Sequence, residues 1–262
     1  MRTDKQAAPL LQAGALTRRF GGLTAVKSVS IDLHIGELHA VNGTNGAGKS
    51  TLINMLSGEI AASEGMLKLD GVDATAWPQP KRARAGIGRS YQRTTIFPQF
   101  SVLENCRLTA QAALQRPWHL WQSARDCAAS VGIARDVLEV VGLAALADRP
   151  AGSMSHGQKR QLEIAMCLAT RPRVLLLDEP LAGMGTAEAE RMVGLLLALK
   201  KDHGILLVEH DMDAVFTLAD QLTVMVNGQV IASGTPAQIR ADAGVQAAYL
   251  GEETEGNHAH GH

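Results

Sequence analysis

A glycine-rich loop, Gly43-Thr44-Asn45-Gly46-Ala47-Gly48-Lys49-Ser50-Thr51, separates a short apolar run from a helical one. Its spacing, G-x-x-x-x-G-K-[ST], suits a polyphosphate when it stands between a strand and a helix. The glycines let backbone N–H groups converge on phosphate oxygens, and the following helix start adds a favourable dipole. Lys49 can then neutralise β- and γ-phosphate charge, while the Ser50 hydroxyl can ligate Mg²⁺. A second cluster of acids follows an apolar run, Leu175-Leu176-Leu177-Asp178-Glu179. Ligands in open α/β sheets gather at carboxyl ends of strands, so Asp178 is placed to hold Mg²⁺ through water and Glu179 to polarise an attacking water. Two acids at a strand end also make an ordinary solvated turn. The phosphate loop upstream is what tips the reading towards chemistry.

His210 follows another apolar run, Ile205 to Val208, and Glu209. It therefore falls at the same edge, within reach of a γ-phosphate or of Glu179. A lone histidine at a strand end is more often structural, and this one gains weight only from its company. Ser155-His156-Gly157-Gln158 has two readings. Ser-x-x-Gln is a capping box, in which Ser155 satisfies the N–H near Gln158. Gly157 also leaves the helix start bare, so its N–H groups can meet an anion. The two roles are compatible, and Lys159 and Arg160 place positive charge nearby.

These residues need a scaffold of strands and helices. Val29, Ile31, Leu33 and Ile35 alternate with polar residues, the period of a half-buried strand. Leu38 to Val41 is a short strand running into the glycine loop. Lys49 to Leu56 follows as a helix, with Gly58 placed to end it. Leu67 to Gly71 reads as strand and turn. Residues 100–150 turn rich in Ala, Leu, Gln and Arg with helical spacing, as in an inserted helical subdomain. The helix 157–170 puts Leu162, Ala165, Met166 and Ala169 on one face. Val174 to Leu177 and Ile205 to Val208 are continuous apolar runs, as in parallel strands covered on both sides. Leu222 to Val226, Asn227-Gly228 and Gln229 to Ala232 predict a hairpin with a type I′ turn. Thr235-Pro236-Ala237-Gln238 reads as a capped helix start. Residues 1–13 read as a flexible lead, and 252–262 as a polar, disordered tail in which His258, His260 and His262 are solvated rather than a metal site.

Bulk properties narrow the function. The chain has 262 residues, 46% of them hydrophobic, enough for one substantial domain with a subdomain. Its 25 basic and 26 acidic residues leave −1, and aromatics are 3%, so neither a basic surface nor a stacking platform marks a nucleic-acid partner. Cys106, Cys127 and Cys167 are odd in number and scattered, which favours buried thiols over a zinc site or disulfides. No apolar run has the length of a spanning helix, and the N-terminus lacks a signal-peptide pattern, so a cytosolic chain is expected.

Together, and in this order, the motifs resemble the ATP-binding subunit of an ATP-binding-cassette (ABC) transporter. The finer similarity is to bacterial importers of branched-chain amino acids and their urea and amide relatives. It is carried by Phe20 to Val26, Leu162 to Ala165, Val208 to Met212 and Ala248 to Gly251. The resemblance implies an α/β fold: a P-loop NTPase (RecA-like) core with an antiparallel β subdomain and an inserted α-helical subdomain. That domain would span 14–251, with the helical part at about 100–163. ATP and Mg²⁺ are the implied cofactors, and hydrolysis coupled to transmembrane transport is the implied activity. Phe20 matches an adenine-stacking position and Val26 a neighbouring apolar contact. Gln92, at the junction with the helical insertion, matches a Mg²⁺ ligand and γ-phosphate sensor.

The family pattern further implies two cassettes, identical or related, arranged head to tail. Each glycine loop would then face the other subunit's Ser155, Gly157 and Gln158 across ATP. Membrane-spanning permease subunits, a periplasmic binding protein acting indirectly, and a place on the cytoplasmic face of the inner membrane complete the expectation; nucleic acid is not an expected partner. The alternatives are a urea or amide importer, and a soluble cassette ATPase of translation or DNA repair. The latter usually fuses two cassettes or carries long coiled coils, and this chain has neither. Trp118 and Trp121 on the insertion read as subdomain core, with a groove for a membrane subunit as the other reading. Three departures from the pattern stand out: Thr44 where Pro is common, His156 where Gly is commoner, and Gly185 where many relatives have Asp.

Overall fold

Residues 8–91, 95–114 and 128–247 are described by the computed structural model. The order is β1 (Leu11–Phe20), β2 (Leu23–Leu33), β3 (Leu38–Gly43), α1 (Lys49–Ser57), β4 (Glu64–Leu69), β5 (Val72–Asp73), α2 (Gln79–Arg84), β6 (Ile87–Arg89), α3 (Val102–Leu114) and α4 (Ala128–Val140). Then come α5 (His156–Leu168), β7 (Val174–Asp178), α6 (Thr186–Leu199), β8 (Gly204–Val208), α7 (Met212–Leu218), β9 (Gln221–Val226), β10 (Gln229–Gly234) and α8 (Pro236–Arg240).

Two sheets result. One is antiparallel, in the order β2-β1-β4-β5. The other runs β10-β9-β3-β8-β7-β6, with parallel pairing throughout except for the antiparallel edge strand β10. Alternation along the buried strands builds both faces of the parallel sheet. Leu175, Leu177, Ile205 and Leu207 enter one core with the helices α3 to α7, while Val174, Leu176, Leu206 and Val208 enter a second with α1 and the antiparallel sheet. Strands covered on both sides leave no polar face in the sequence, hence the unbroken apolar runs. Helices α3, α4 and α5 pack on one another as the helical layer. The α/β class, the antiparallel sheet and the helical insertion are as expected.

Several local expectations hold for the stated reasons. Gly58 ends α1 with φ 82°, a conformation that glycine adopts cheaply. Asn227 and Gly228 carry φ of 49° and 79°, the two positive values of the type I′ turn. Thr235 caps α8 through a full capping box with Pro236 at the first position.

Other expectations need correcting. The segment 1–13 is not all lead: Leu11 begins β1, Leu11 and Ala13 are buried, and Leu11 pairs with both Leu33 and Leu69. Ile35 lies beyond β2 and is exposed. Helix α5 runs to Leu168, so a subdomain boundary at 163 would cut through it. Trp118, Trp121, Cys127 and residues 248–262 lie outside the described residues.

Candidate active site

Close backbone approaches build the loop between β3 and α1. At Gly43, φ 148°, a Cβ would lie 1.9 Å from the Met225 carbonyl oxygen on β9; at Gly48, φ 94°, it would lie 2.3 Å from the Ala25 carbonyl oxygen on β2. No side chain fits at either place, so the loop is pressed onto two strands. Gly46 instead borders open space. Helix α1 starts with no side-chain cap, and its first-turn N–H groups lack intrahelical partners, which suits an anion. Lys49 is buried, and its Nζ donates to the Gly43 and Thr44 carbonyls at 2.6 and 2.9 Å.

Asn45, Gly46, Ala47, Gly48, Lys49, Ser50 and Thr51 line a cleft of about 590 Å³, together with Phe20, Glu179 and His210. The turn 227–228 and Leu23, Thr24 and Ala25 complete its wall, residues that the local sequence pattern gave no reason to select. Phe20 is half exposed, with the Arg18 guanidinium 4.5 Å from its ring centroid. Val26 does not reach the cleft. It is fully buried, and its Cγ2 lies beneath Gly48, so it supports the loop rather than touching a ligand. Gly43 likewise shapes the base of the loop.

Glu179 follows β7 in the left-handed region, φ 50°, which costs a non-glycine residue about 1–2 kcal/mol. Its N–H donates to the Val208 carbonyl at 2.9 Å, and its Oε1 lies 2.9 Å from His210 Nε2. Glu209 braces this pair. It is buried and accepts from the Leu181 N–H at 2.8 Å and the His210 N–H at 3.1 Å, tying the strand ends of β7 and β8 together. Burial pushes its carboxyl above the ordinary range against the pull of those N–H donors. Sequence reasoning passed over Glu209. Its one signal was an acid directly before the histidine at a strand end.

Asp178 is buried at the end of β7, and among the described residues its Oδ1 has no hydrogen-bond partner. Burial raises its pKa, and the charge of Glu179 raises it further. A buried carboxylate oxygen without a donor is costly unless a cation or water meets it. With the Ser50 hydroxyl on the cleft wall, this oxygen-donor set fits a hard divalent ion that draws its remaining ligands from phosphates and water. Among the described residues no group of three or more His, Cys, Asp or Glu could hold a metal by itself.

The turn before α5 lies elsewhere. Ser155, Gly157 and Gln158 line a separate hollow of about 210 Å³ and none of them lines the cleft around Lys49. The capping box is complete: Ser155 Oγ accepts from the Gln158 N–H at 3.2 Å, and Gln158 Oε1 accepts from the Ser155 N–H at 3.0 Å. Ser155 Oγ also donates to Glu188 Oε1 at 2.9 Å. His156 Nε2 lies 3.0 Å from the Ala182 carbonyl oxygen, so the imidazole packs on the loop that leads to α6.

One turn along α5, a buried ion pair joins Arg160 and Glu163 at 3.0 Å. Arg160 also donates to the Tyr91 carbonyl at 3.0 Å, and Glu163 accepts from the Thr95 N–H at 3.2 Å. The pair thus grips the chain on either side of 92–94. Gln92 itself lies outside the described residues.

Comparisons with known proteins bear on the family and the fold. The family model described as ABC transporter matches residues 26–182, and that described as Branched-chain amino acid ATP-binding cassette transporter matches residues 229–255. The high-affinity branched-chain amino acid transport ATP-binding protein BraF of Pseudomonas aeruginosa is 38% identical over 255 residues, covering 93% of this chain and 98% of its own. Its counterpart LivG of Escherichia coli K12 is 37% identical over 256 residues with the same coverage. A nucleotide-free ATP-binding cassette from an ABC transporter superposes with a TM-score of 0.83 at 31% identity, covering 92% of this chain and 98% of its own. A cassette in its ADP conformation gives 0.81 at 30% identity, with 94% and 100% covered.

Proposed function

This chain belongs to the ABC transporter family of ATP-binding subunits, and on that premise we propose that it hydrolyses ATP to power the import of branched-chain amino acids. The observation that carries the hydrolytic reading is the Glu179–His210 contact at 2.9 Å, set on the same cleft as Lys49 and the first turn of α1. The cargo reading rests on the functions of the relatives BraF and LivG and on the match at 229–255.

The division of labour follows from position. The loop N–H groups and Lys49 hold the β- and γ-phosphates, and Phe20 offers a ring for the adenine. Glu179 polarises the attacking water. His210 orients Glu179 and reaches the γ-phosphate, and Glu209 holds His210. Mg²⁺ would be held by Ser50, by Asp178 through water, and by Gln92; when bound it neutralises phosphate charge. Ser155, Gly157 and Gln158 serve a partner cassette's ATP, which makes a head-to-tail pair the working unit. Permease subunits, fed by a periplasmic binding protein, are the further partners. Among the described residues no helix is long and apolar enough to cross a membrane, which suits a subunit attached to the cytoplasmic face through those permeases.

Phosphate release and nucleotide binding by the purified chain test the core of this reading. Glu179→Gln should lose steady turnover and keep ATP binding, and Lys49→Ala should lose binding as well. Unchanged turnover in the first variant would remove Glu179 from its role. In a reconstituted complex, leucine, isoleucine or valine should stimulate hydrolysis; stimulation by urea alone would reassign the cargo.

A further inference from the structure

We propose that Glu188 is a built-in competitor for the phosphate that the start of α5 is shaped to receive. The inference rests on the paired arrangement proposed above and adds a latch to it. In the single chain the receiving face is closed by the chain's own carboxylate. It opens when ATP held by a second copy displaces that carboxylate.

The contact geometry carries the argument. Glu188 lies in the first turn of α6, and its Oε1 accepts the Ser155 hydroxyl at 2.9 Å. A Cβ built on Gly157 would fall 2.6 Å from Glu188 Cδ and 2.8 Å from each carboxylate oxygen. The carboxylate therefore lies directly over the bare Cα of Gly157. These are the groups that a phosphate would use: a hydroxyl, a helix start and a position without a side chain. The bareness of Gly157 is already taken up by an anion from the same chain. A carboxylate and a phosphate cannot share that space, because two anions at hydrogen-bond distance repel strongly in a partly desolvated site.

The latch also has somewhere to go. Arg191, three residues along the same helix, and Gln161 line the hollow that contains Glu188. Positions three apart on a helix are neighbours, so a displaced carboxylate can turn towards a cation without unwinding α6. His156, held on the Ala182 carbonyl, keeps the turn docked against the loop that leads into α6. The closed state thus has two attachments, and the Glu188 one bears directly on the phosphate.

Sedimentation velocity of the full chain carrying Glu179→Gln, titrated with MgATP at fixed protein concentration, tests the latch. Adding Glu188→Gln should lower the ATP concentration for half-maximal dimer by about tenfold, since it removes one repulsion at close range. Glu188→Ala should shift it in the same direction. An unchanged or higher ATP requirement in both variants would overturn the proposal, because a carboxylate that merely braces the helix start would weaken pairing when lost. Binding of a fluorescent ATP analogue by the single chain should stay unchanged, and a parallel tightening there would also overturn it. A Glu179→Gln parent that binds ATP but never dimerises would overturn the paired arrangement, and the latch with it.

Discussion

Replacing His210 by alanine isolates the contact on which hydrolysis is argued to depend. The imidazole meets Glu179 at 2.9 Å, with side-chain exposures of 42% and 19%. A hydrogen bond to a charged group contributes about 1.5–3 kcal/mol when shielded from water. This one is partly solvated, so screening leaves about 1–2 kcal/mol. At 1.4 kcal/mol per tenfold, His210→Ala should lower kcat by roughly 5–30-fold. Glu179 itself stays in place, because its backbone bond to Val208 and the Glu209 brace do not involve the imidazole ring. Lys49 and the loop are equally untouched, so affinity for ADP, which lacks the γ-phosphate, should hold within about twofold. Steady-state phosphate release gives kcat and KM, and equilibrium titration with a fluorescent nucleotide gives Kd. His210→Gln, which keeps a donor, should recover part of the loss. A fall in kcat below about threefold, or a rise in KM at constant kcat, would refute the argument, since the latter marks uniform binding rather than transition-state support.

Asp178 offers a test through pH linkage. Burial, and then Glu179, hold its carboxyl above the ordinary range, so the folded chain binds that proton more tightly than the unfolded chain does. Stability is therefore lost as pH climbs from the unfolded pKa through the folded one, and at neutral pH the cost is present. Asp178→Asn without nucleotide should raise Tm, by about 2–4 °C per kcal/mol relieved in a chain of this size, while added MgATP should stabilise it less than the parent; a fall in Tm would show that Asp178 is paid for by its surroundings. Glu163→Ala strands the buried Arg160 and should cost about 3–5 kcal/mol, whereas Arg160→Met with Glu163→Leu should recover most of the melting temperature but not the turnover, and full activity in the double variant would rule out a role for the grip on 91 and 95. Burial pushes Cys106 and Cys167 up to about 12, so in a Cys127→Ser chain a thiol reagent at pH 8 should label neither until denaturant is added; rapid labelling of the native chain would place a thiol at the surface.

The phosphate loop, the acids after β7, both capping boxes and the 227–228 hairpin turn were legible because each is written within ten residues. Their physics is local: a sharp backbone turn, an orphaned N–H, an apolar strand ending in charge. Strand β1 was not legible, since register shifts after Ala13 and Leu16 and a positive φ at Ala15 break its alternation, and its burial comes from pairing with Leu33 and Leu69 far along the chain. The same holds at the site. Val26 lies in the motif that suggested a ligand contact, but the depth of a side chain under Gly48 is a tertiary fact. Glu209 and Glu188 act through partners 28 and 33 residues away, separations that carry no periodic signal. The grip of Arg160 on Tyr91 spans 69 residues for the same reason.

The way the phosphate loop rests on β9 sets a condition on how the protein is made. Gly43 lies against the Met225 carbonyl, and the Gly228 N–H donates to the Ala47 carbonyl at 3.1 Å, while β9 pairs directly with β3. The loop proposed to grip phosphate is therefore translated early, and the floor beneath it comes some 170 positions later. At ribosomal speeds of about 5–20 residues per second, roughly 10–35 s separate the two. During that interval the nascent chain has its glycine loop and the β2 wall behind Gly48 but lacks the β9 floor. A chain halted before Gln221 therefore has its loop against β2 alone, without the strand that lies under Gly43.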